Sequence, residues 1–307
     1  MISRVTGREA PHRPAPPPPT RLDVAECYRY CEAIVRSHHE NFPVASRFLP
    51  ERLRAHVSAL YAFVRAADDF ADEPEYEGRR EAELDRWEDR LVGCFHGHAD
   101  HPVFVALGAT VKQLTLPIAP FSDLLQAFRL DITTRRYPSY GDLYIYTQRA
   151  AQPIGRLLLY VFGVRDPEAH RFADDLATAL ALTAFWQDIA RDLGRDRIYL
   201  PQEDMRHFGV AEADLRAKRE SRALADLVRF ECARAHAYYL KARPLLDRVE
   251  AELLTEMALF WYGGARVLEK VEAAAESVFA GRPTLGTVDK AFVLGKALAR
   301  RSGLRVP

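Results

Sequence analysis

The sequence predicts an all-α fold, and three observations lead to that prediction. Apolar residues recur at spacings of three and four along most of the chain, as they do on one face of a helix. Strict alternation of apolar and polar residues, which is typical of half-buried strands, is scarce. Proline and glycine fall between the periodic segments, where helices begin and end. We therefore expect a bundle of helices.

The predicted helices follow one another with short connections. Residues 1–20 contain six of the nineteen prolines, so we expect a disordered tail there. One domain is expected over residues 21–307, because no shift in composition divides this part of the chain. Its clearest helical segments are 53–72, which ends before Pro74, 121–134, which ends before Pro138, 143–162, which ends at Gly163, 170–192, which ends before Gly194, and 223–249.

Composition argues against several classes of protein. The 43 basic and 43 acidic residues balance, so the chain lacks the excess positive charge that nucleic-acid binding needs, and we expect no nucleic-acid partner. Its longest apolar runs are far shorter than the ~20 residues of a membrane-spanning helix. The four cysteines are scattered and no secretory segment is recognisable. We therefore predict a cytoplasmic protein with reduced thiols.

Two pairs of aspartates carry the strongest chemical signal. Asp68 and Asp72 are four residues apart at the end of a predicted helix, and Asp188 and Asp192 repeat that spacing further along the chain. Residues four apart are neighbours on a helix, so their like charges repel unless a cation bridges them. Oxygen ligands without imidazole or thiolate favour Mg²⁺, which commonly binds one or two carboxylates and completes its shell with water and phosphate. Two such pairs facing each other across a cavity would hold a diphosphate through bridging metal ions.

The alternative is that these aspartates belong to solvated helix faces, where pairs of this spacing are common. Apolar and aromatic residues precede both pairs, at 60–64 and 182–186, where an uncompensated surface acid is unexpected. The chain also has no glycine loop for phosphate and no dinucleotide motif. The sequence therefore favours metal-assisted diphosphate chemistry without a nicotinamide cofactor.

At these residues the sequence resembles the squalene/phytoene synthase family of all-α isoprenoid synthases. The segments 40–46, 153–156 and 185–188 are most similar to the hydroxysqualene synthases of hopanoid biosynthesis. The resemblance implies a single-domain helical bundle around a central cavity. The similar segments, in order from about residue 23 to residue 284, are His38–Phe42, Phe48–Pro50, Arg54, Ala59–Phe63, Asp131, Arg136–Tyr137, Tyr146, Gly155, the two aspartate motifs and Arg197–Pro201.

The resemblance also implies a reaction. Presqualene diphosphate would lose diphosphate with the help of Mg²⁺, rearrange as a carbocation, and be captured by water as hydroxysqualene, with no NADPH consumed. Neighbouring enzymes of the hopanoid pathway would be partners. Two alternatives stay open. One is the head-to-head condensation of prenyl diphosphates to presqualene diphosphate or phytoene, and the other is a helical binding protein that has lost activity.

The family resemblance assigns roles to individual residues. Asp68, Asp72, Asp188 and Asp192 would bind Mg²⁺, and Tyr146 would stabilise the carbocation and orient water. The expected contacts to the substrate are His38, Phe42, Arg54, Tyr61, Arg65, Gln187, Arg197 and Tyr199.

The chain departs from the family pattern near the second acidic motif. Ala181 and Ala184 stand where family members usually carry Gln and Asn, and Gln152 replaces a usual Asn. The family Asn that Ala184 replaces ordinarily supports the metal cluster. The departures therefore bear on metal binding and on the product.

Residues 290–301 mix basic and apolar side chains, as helices at membrane surfaces do. A final helix that packs on the bundle has the same pattern. Both interpretations stay open, and the first would imply peripheral attachment to the inner face of the membrane.

Overall fold

The computed structural model of the protein describes residues 17–19, 22–37 and 49–303, and every regular element within these ranges is a helix. The prediction of an all-α fold is therefore confirmed. The α-helices are α1 (Val24–Ser37), α2 (Glu51–Asp72), α3 (Arg80–Phe95), α4 (Pro102–Leu114), α5 (Ala119–Thr133), α6 (Tyr140–Ala150), α7 (Gln152–Val161), α8 (Pro167–Gln187), α9 (Ile189–Leu193), α10 (Gln202–Phe208), α11 (Glu212–Arg216), α12 (Arg222–Ala242), α13 (Ala251–Ala273) and α14 (Thr287–Arg301). Short 3₁₀ helices span Pro74–Tyr76, Arg243–Asp247 and Ala275–Ser277.

Three predicted helices are interrupted in the structure. The segment 143–162 is divided into α6 and α7 at Ala151, two residues before Pro153, whose ring cannot continue a helix from the preceding turn. The segment 223–249 leaves α-helical geometry after Ala242, before Pro244. The segment 170–192 is broken at Asp188, whose φ of −106° and ψ of 15° lie outside the helical range.

By its internal contacts the chain divides into two compact units, Met1–Thr133 with Arg156–Arg165, and Thr134–Gly155 with Asp166–Pro307. Residues 1–16 and 20–21 lie outside the described residues. The sequence-based division into a tail over 1–20 and a domain over 21–307 therefore stays a prediction.

In the first unit, α2 packs against α1, α3, α4 and α5. Phe63 of α2 lies at the centre of an aromatic core, 6.1 Å from the ring of Trp87, 6.0 Å from Phe104 and 5.4 Å from Phe121. The indole N–H of Trp87 donates to the carbonyl of Phe63 at 3.2 Å. The C-terminal turn of α2, with the first acidic motif, therefore extends from a firmly packed helix.

In the second unit, α8 packs against α12 and α13, and α14 packs on α13. Tyr239 of α12 is completely buried, and its hydroxyl lies 3.1 Å from that of Thr183 on α8. Gly264 of α13 lies against the same tyrosine, so closely that a Cβ atom at this position would be 2.2 Å from the tyrosine oxygen. This contact fixes the spacing of three helices, one of which leads into the second acidic motif.

Among the described helices, none has the combination of length and apolar character that crossing a membrane requires. The cysteines at 27, 31, 94 and 232 are buried and free of disulfide bonds in the structure.

Candidate functional site

The first acidic motif lies on the last two turns of α2. This helix begins directly after Pro50 and ends at Asp72, and the N–H of the following Glu73 donates to the carbonyl of Asp69 at 2.9 Å. Asp68 is 3% exposed, whereas Asp72 is partly exposed. The helix therefore presents the pair as the sequence predicted, one carboxylate above the other with only one of them open to solvent.

Arg65 is the cation beside this motif. It is buried, and its guanidinium lies 3.5 Å from Asp68 and 3.7 Å from Glu73 and also pairs with Asp69. Burial raises the pKa of Asp69 to about 7, although the charge of Arg65 opposes the rise. The structure thus places Arg65 among the acids of the motif, and its expected contact with substrate stays a prediction.

The other predicted contacts of the first unit lie along α2 or outside the described residues. Arg54 is exposed on the first turn, where its Nε donates to the carbonyl of Leu49 at 3.2 Å. Tyr61 is buried on the same helix. His38 and Phe42 lie outside the residues that the structure describes.

The second acidic motif lies at the junction of α8 and α9. Asp188 is the residue between the two helices, and Asp192 is on the last turn of α9. They are 1% and 3% exposed. Helical hydrogen bonds nevertheless continue across this residue, since the N–H of Asp188 donates to the carbonyl of Ala184 at 3.0 Å and the N–H of Asp192 donates to the carbonyl of Asp188 at 2.8 Å, so the two aspartates stay one turn apart.

Arg282 compensates the charge of Asp188. Its Nε donates to Oδ1 at 2.5 Å and its Nη2 to Oδ2 at 3.0 Å, a two-pronged contact that matches guanidinium to carboxylate. The same Nη2 donates to the side-chain carbonyl of Gln187 at 2.8 Å, and the amide of Gln187 donates to the carbonyl of Pro283. Sequence reasoning missed Arg282, because it is 94 residues further along the chain, between Gly281 and Pro283.

The loop after α9 carries Arg197 and Tyr199, which are 4% and 5% exposed. It folds back on the motif, since the N–H of Arg197 donates to the carbonyl of Asp192 at 2.8 Å. Asp196 has a φ of +57°, in the left-handed region that side chains other than glycine seldom adopt. The loop is therefore held in one compact conformation at some cost in backbone energy.

Arg136 supports that loop from outside. It donates to the carbonyl of Asp196 at 2.5 Å and to its carboxylate at 2.8 Å, and it forms a fork with Glu212 at 2.9 and 2.7 Å. Arg216 pairs with the same two acids. The pKa of Glu212 is lowered to about 2, and the hydrogen bonds that it accepts from Arg136 are the main reason. Arg136 was part of the family resemblance, but the sequence indicated no role for it.

Tyr146, which the family resemblance placed near the reacting carbons, and Tyr199, an expected contact to the substrate, lie in one aromatic cluster. The rings of Phe185 and Tyr199 are parallel and 4.1 Å apart. Tyr146 is 6.1 Å from Tyr199, and Tyr137 is 5.4 Å from Tyr146. Tyr137 completes the cluster and was not predicted to do so.

A small pocket of the second unit is lined by a carboxylate, a guanidinium and aromatic rings. Asp192, Arg197, Phe185 and Tyr199 all line it, and aliphatic side chains form the rest of its wall. Those side chains are Ile189, Leu193, Ile198, Leu200 and Leu215. A carboxylate, a guanidinium and stacked rings therefore meet at a single depression.

The acidic residues fit Mg²⁺ by their chemistry. Each pair offers carboxylate oxygens from neighbouring turns. In this structure Arg65 and Arg282 offset the charges of the buried Asp68 and Asp188, so a bound Mg²⁺ would take the place of these guanidinium groups. Among the described residues, no group of three or more His, Cys, Asp or Glu side chains is arranged to hold a metal ion. Because Mg²⁺ commonly takes one or two carboxylates and fills its remaining positions with water and phosphate, each pair suits it as a partial ligand set.

The three departures from the family pattern have different surroundings. Ala181 and Ala184 are buried on α8. Gln152 is also buried, and its amide donates to the hydroxyl of Thr178 at 3.1 Å. The longer side chain at position 152 is therefore satisfied by a partner on α8.

Comparison with known proteins gives consistent results. Residues 35–289 match the sequence profile of the squalene/phytoene synthase family. A phytoene synthase of Mycobacterium tuberculosis is 32% identical over 284 residues, which are 90% of this chain and 92% of that protein. Squalene synthase HpnC from Alicyclobacillus acidocaldarius superposes with a TM-score of 0.79 at 36% identity, over 83% of this chain and 97% of that one. A dehydrosqualene synthase in complex with ligand superposes with a TM-score of 0.82 at 26% identity, over 92% of this chain and 98% of that one.

Proposed function

The chain belongs to the squalene/phytoene synthase family of isoprenoid synthases, and we propose that it converts presqualene diphosphate to hydroxysqualene with release of diphosphate. The observation that carries this proposal is the pocket of the second unit, where Asp192 and Arg197 lie beside the parallel rings of Phe185 and Tyr199. Carboxylate and guanidinium groups suit a diphosphate with its metal ions, and aromatic rings suit a carbocation. The similarity to a squalene synthase over most of the chain supports the choice of substrate class.

The charged residues act on the leaving group. Arg197 and Arg54 are the proposed contacts to phosphate oxygens, which planar guanidinium groups match in geometry. Mg²⁺, held by Asp68 and Asp72 and by Asp188 and Asp192, would supply charge neutralisation to the departing diphosphate. Because Asp192 and Asp188 are almost fully buried, little water is left beside them to screen that charge.

The aromatic residues act on the carbon skeleton. When the carbon–oxygen bond breaks, diphosphate leaves with the electron pair and a carbocation remains. The faces of Tyr146, Phe185 and Tyr199 attract positive charge through their π electrons. The Tyr146 hydroxyl would orient the water whose oxygen then bonds to the cation, and the proton that this water releases is taken by the departing diphosphate.

A second candidate function is head-to-head condensation of two prenyl diphosphates. The similarity to phytoene synthases at about one-third identity favours it. Against it stands Gln187, where phytoene synthases normally carry Arg. The Gln187 amide is engaged on both sides by Arg282 and Pro283, so its contacts in this chain suit an amide.

The test is to supply the purified full-length protein with Mg²⁺ and presqualene, farnesyl or geranylgeranyl diphosphate, and to identify the products by mass. We expect hydroxysqualene from the first substrate alone. Phytoene or presqualene diphosphate as the product would establish the second candidate, and no turnover of any diphosphate would indicate a binding protein.

The acidic residues provide the matched variants. Asp188→Asn should lower kcat at least a hundredfold, in line with the loss of one charged group at a site of charge development. Asp226→Asn, at a half-exposed aspartate of α12, is the control and should retain full turnover. Equal activity of the two variants would exclude the proposed role of Asp188.

The proposed reaction also implies a cytoplasmic setting with neighbouring enzymes. One must supply presqualene diphosphate, and another must consume hydroxysqualene. Co-expression with a presqualene-forming enzyme and detection of hydroxysqualene in the cell extract would check this placement.

A further inference from the structure

Helix α14 has the reverse of the usual polarity of a surface helix. Its inner side, which packs on α13, contains the charged Asp289 and Arg300 together with Val293 and Ala297, and all four are less than 9% exposed. A helix on the surface of a soluble protein ordinarily turns its charged residues outward. These two buried charges therefore serve attachment to the bundle, and the outer side of α14 must be considered separately.

Ion pairs set the rotation of α14 about its axis. The two oxygens of Asp289 lie 2.8 Å from Arg266 Nε and 2.9 Å from Lys270 Nζ, both on α13. The backbone N–H of Gly286 donates to the same carboxylate at 2.9 Å. At the other end of the helix, Arg300 pairs with Asp247. Because both ends are fixed by charged contacts, the outer face does not turn inward to bury its side chains.

That outer face is apolar. Val288 is 83% exposed, Phe292 55%, Leu298 39% and Leu294 36%. At 100° per residue, these side chains and the exposed Ala291 and Gly295 lie within an arc of about 160°. An arc of this width with large aliphatic and aromatic groups is typical of helices that lie on membranes.

The borders of the arc are positively charged. Lys290 and Arg301 are exposed along one edge. Lys296 lies along the other, with its Nζ 4.9 Å from the ring centre of Phe292 and 5.3 Å from that of Tyr262. The only acid in the helix is Asp289, which is buried on the inner side. The outer face of α14 thus combines apolar side chains with cations and presents no carboxylate of its own.

We propose that the outer face of α14 binds the surface of an anionic lipid bilayer. Apolar groups would enter the region between headgroups and acyl chains while the lysines contact lipid phosphates. A second copy of the chain would bring three like-charged residues against the same edges, which disfavours self-association through this face. The inference goes beyond the proposed reaction, because it concerns where the protein is held and not what it converts.

The test is flotation of the full-length protein with vesicles of phosphatidylcholine and phosphatidylglycerol in equal amounts, and with phosphatidylcholine alone. We expect binding to the anionic vesicles, weakened by 0.5 M salt as screening shortens the Debye length. The double variant Val288→Ser with Phe292→Ser should weaken binding at least tenfold. Lys290→Glu should weaken it more than fivefold, since one cation near an anionic surface contributes about that factor and the new carboxylate is repelled.

The control is Val92→Ser, at an exposed apolar residue of α3 in the first unit, which should bind as the unaltered protein does. Far-ultraviolet circular dichroism and gel filtration of each variant verify folding and size. Unchanged flotation of the double variant, or no flotation of the unaltered protein, overturns the proposal. So does a concentration-dependent dimer that the double variant abolishes while vesicles remain unbound. None of these measurements uses a prenyl diphosphate, so they are independent of the proposed reaction.

Discussion

Replacement of Gly264 by alanine should destabilise the second unit strongly, even though alanine favours helices. The new methyl carbon would lie 2.2 Å from the oxygen of Tyr239, 2.5 Å from a methyl carbon of Leu180 and 3.0 Å from the ring of the same tyrosine. Carbon atoms in ordinary contact are 3.5–4.0 Å apart. Tyr239 cannot give way easily, because it is fully buried, its hydroxyl bonds to Thr183, and its carbonyl accepts from Trp261 at 2.7 Å.

The magnitude follows from three contributions. Overpacking in a core typically costs about 1–3 kcal/mol, and two contacts below 3.0 Å place this site at about 3. Displacing the tyrosine ring weakens its bond to Thr183, which adds about 1 kcal/mol. Alanine recovers about 1 kcal/mol of helix propensity. The net expectation is a loss of about 3 kcal/mol in the free energy of unfolding.

The adjacent Gly263 is a matched control on the same helix. A methyl group there would meet only a side-chain carbon of Val293 at 3.8 Å, an ordinary contact. Gly263→Ala should therefore stabilise the protein by about 0.5–1 kcal/mol through helix propensity alone. Urea unfolding followed by circular dichroism measures both variants, and the reasoning is refuted if Gly264→Ala is as stable as Gly263→Ala.

Two further predictions concern charged residues of the second unit. Arg136→Ala should raise KM for the diphosphate substrate about tenfold with a smaller effect on kcat, because Arg136 positions the loop that carries Arg197. Arg136→Lys should recover the original KM only in part, since an ammonium cannot form the fork with Glu212. Steady-state kinetics that show no change in KM would contradict this role. Burial raises the pKa of Glu231 from its ordinary value of 4.5 to about 8, against the attraction of Arg234 and with a contribution from Asp204, which shares that guanidinium. The folded protein therefore binds this proton more tightly than the unfolded chain, so the associated stability is complete below pH 4.5 and is lost as the pH rises to about 8. In urea titrations Glu231→Gln should flatten that decline, whereas Glu81→Gln, at an exposed residue of α3, should leave it in place.

The sequence predicted α2 almost to its ends, because its apolar periodicity is strong and prolines flank it on both sides. It could not predict that Asp188 would stand at a break between helices, since periodic spacing on both sides of that residue is compatible with one continuous helix. It could not predict the partnership of Asp188 with Arg282, which depends on tertiary folding and not on local sequence. The orientation of α14 was equally inaccessible, because a helical pattern shows which residues share a face but not whether that face is turned inward.

The fork between Arg282 and Asp188 has a practical consequence for anyone who shortens this chain. A fragment that stops at residue 280 would retain the four aspartates of both acidic motifs. It would nevertheless remove the guanidinium from a carboxylate that is 1% exposed, and removing one partner of a buried ion pair is costly, by about 3–5 kcal/mol. An expression boundary chosen from the acidic motifs alone would therefore separate the second motif from the residue that compensates its charge.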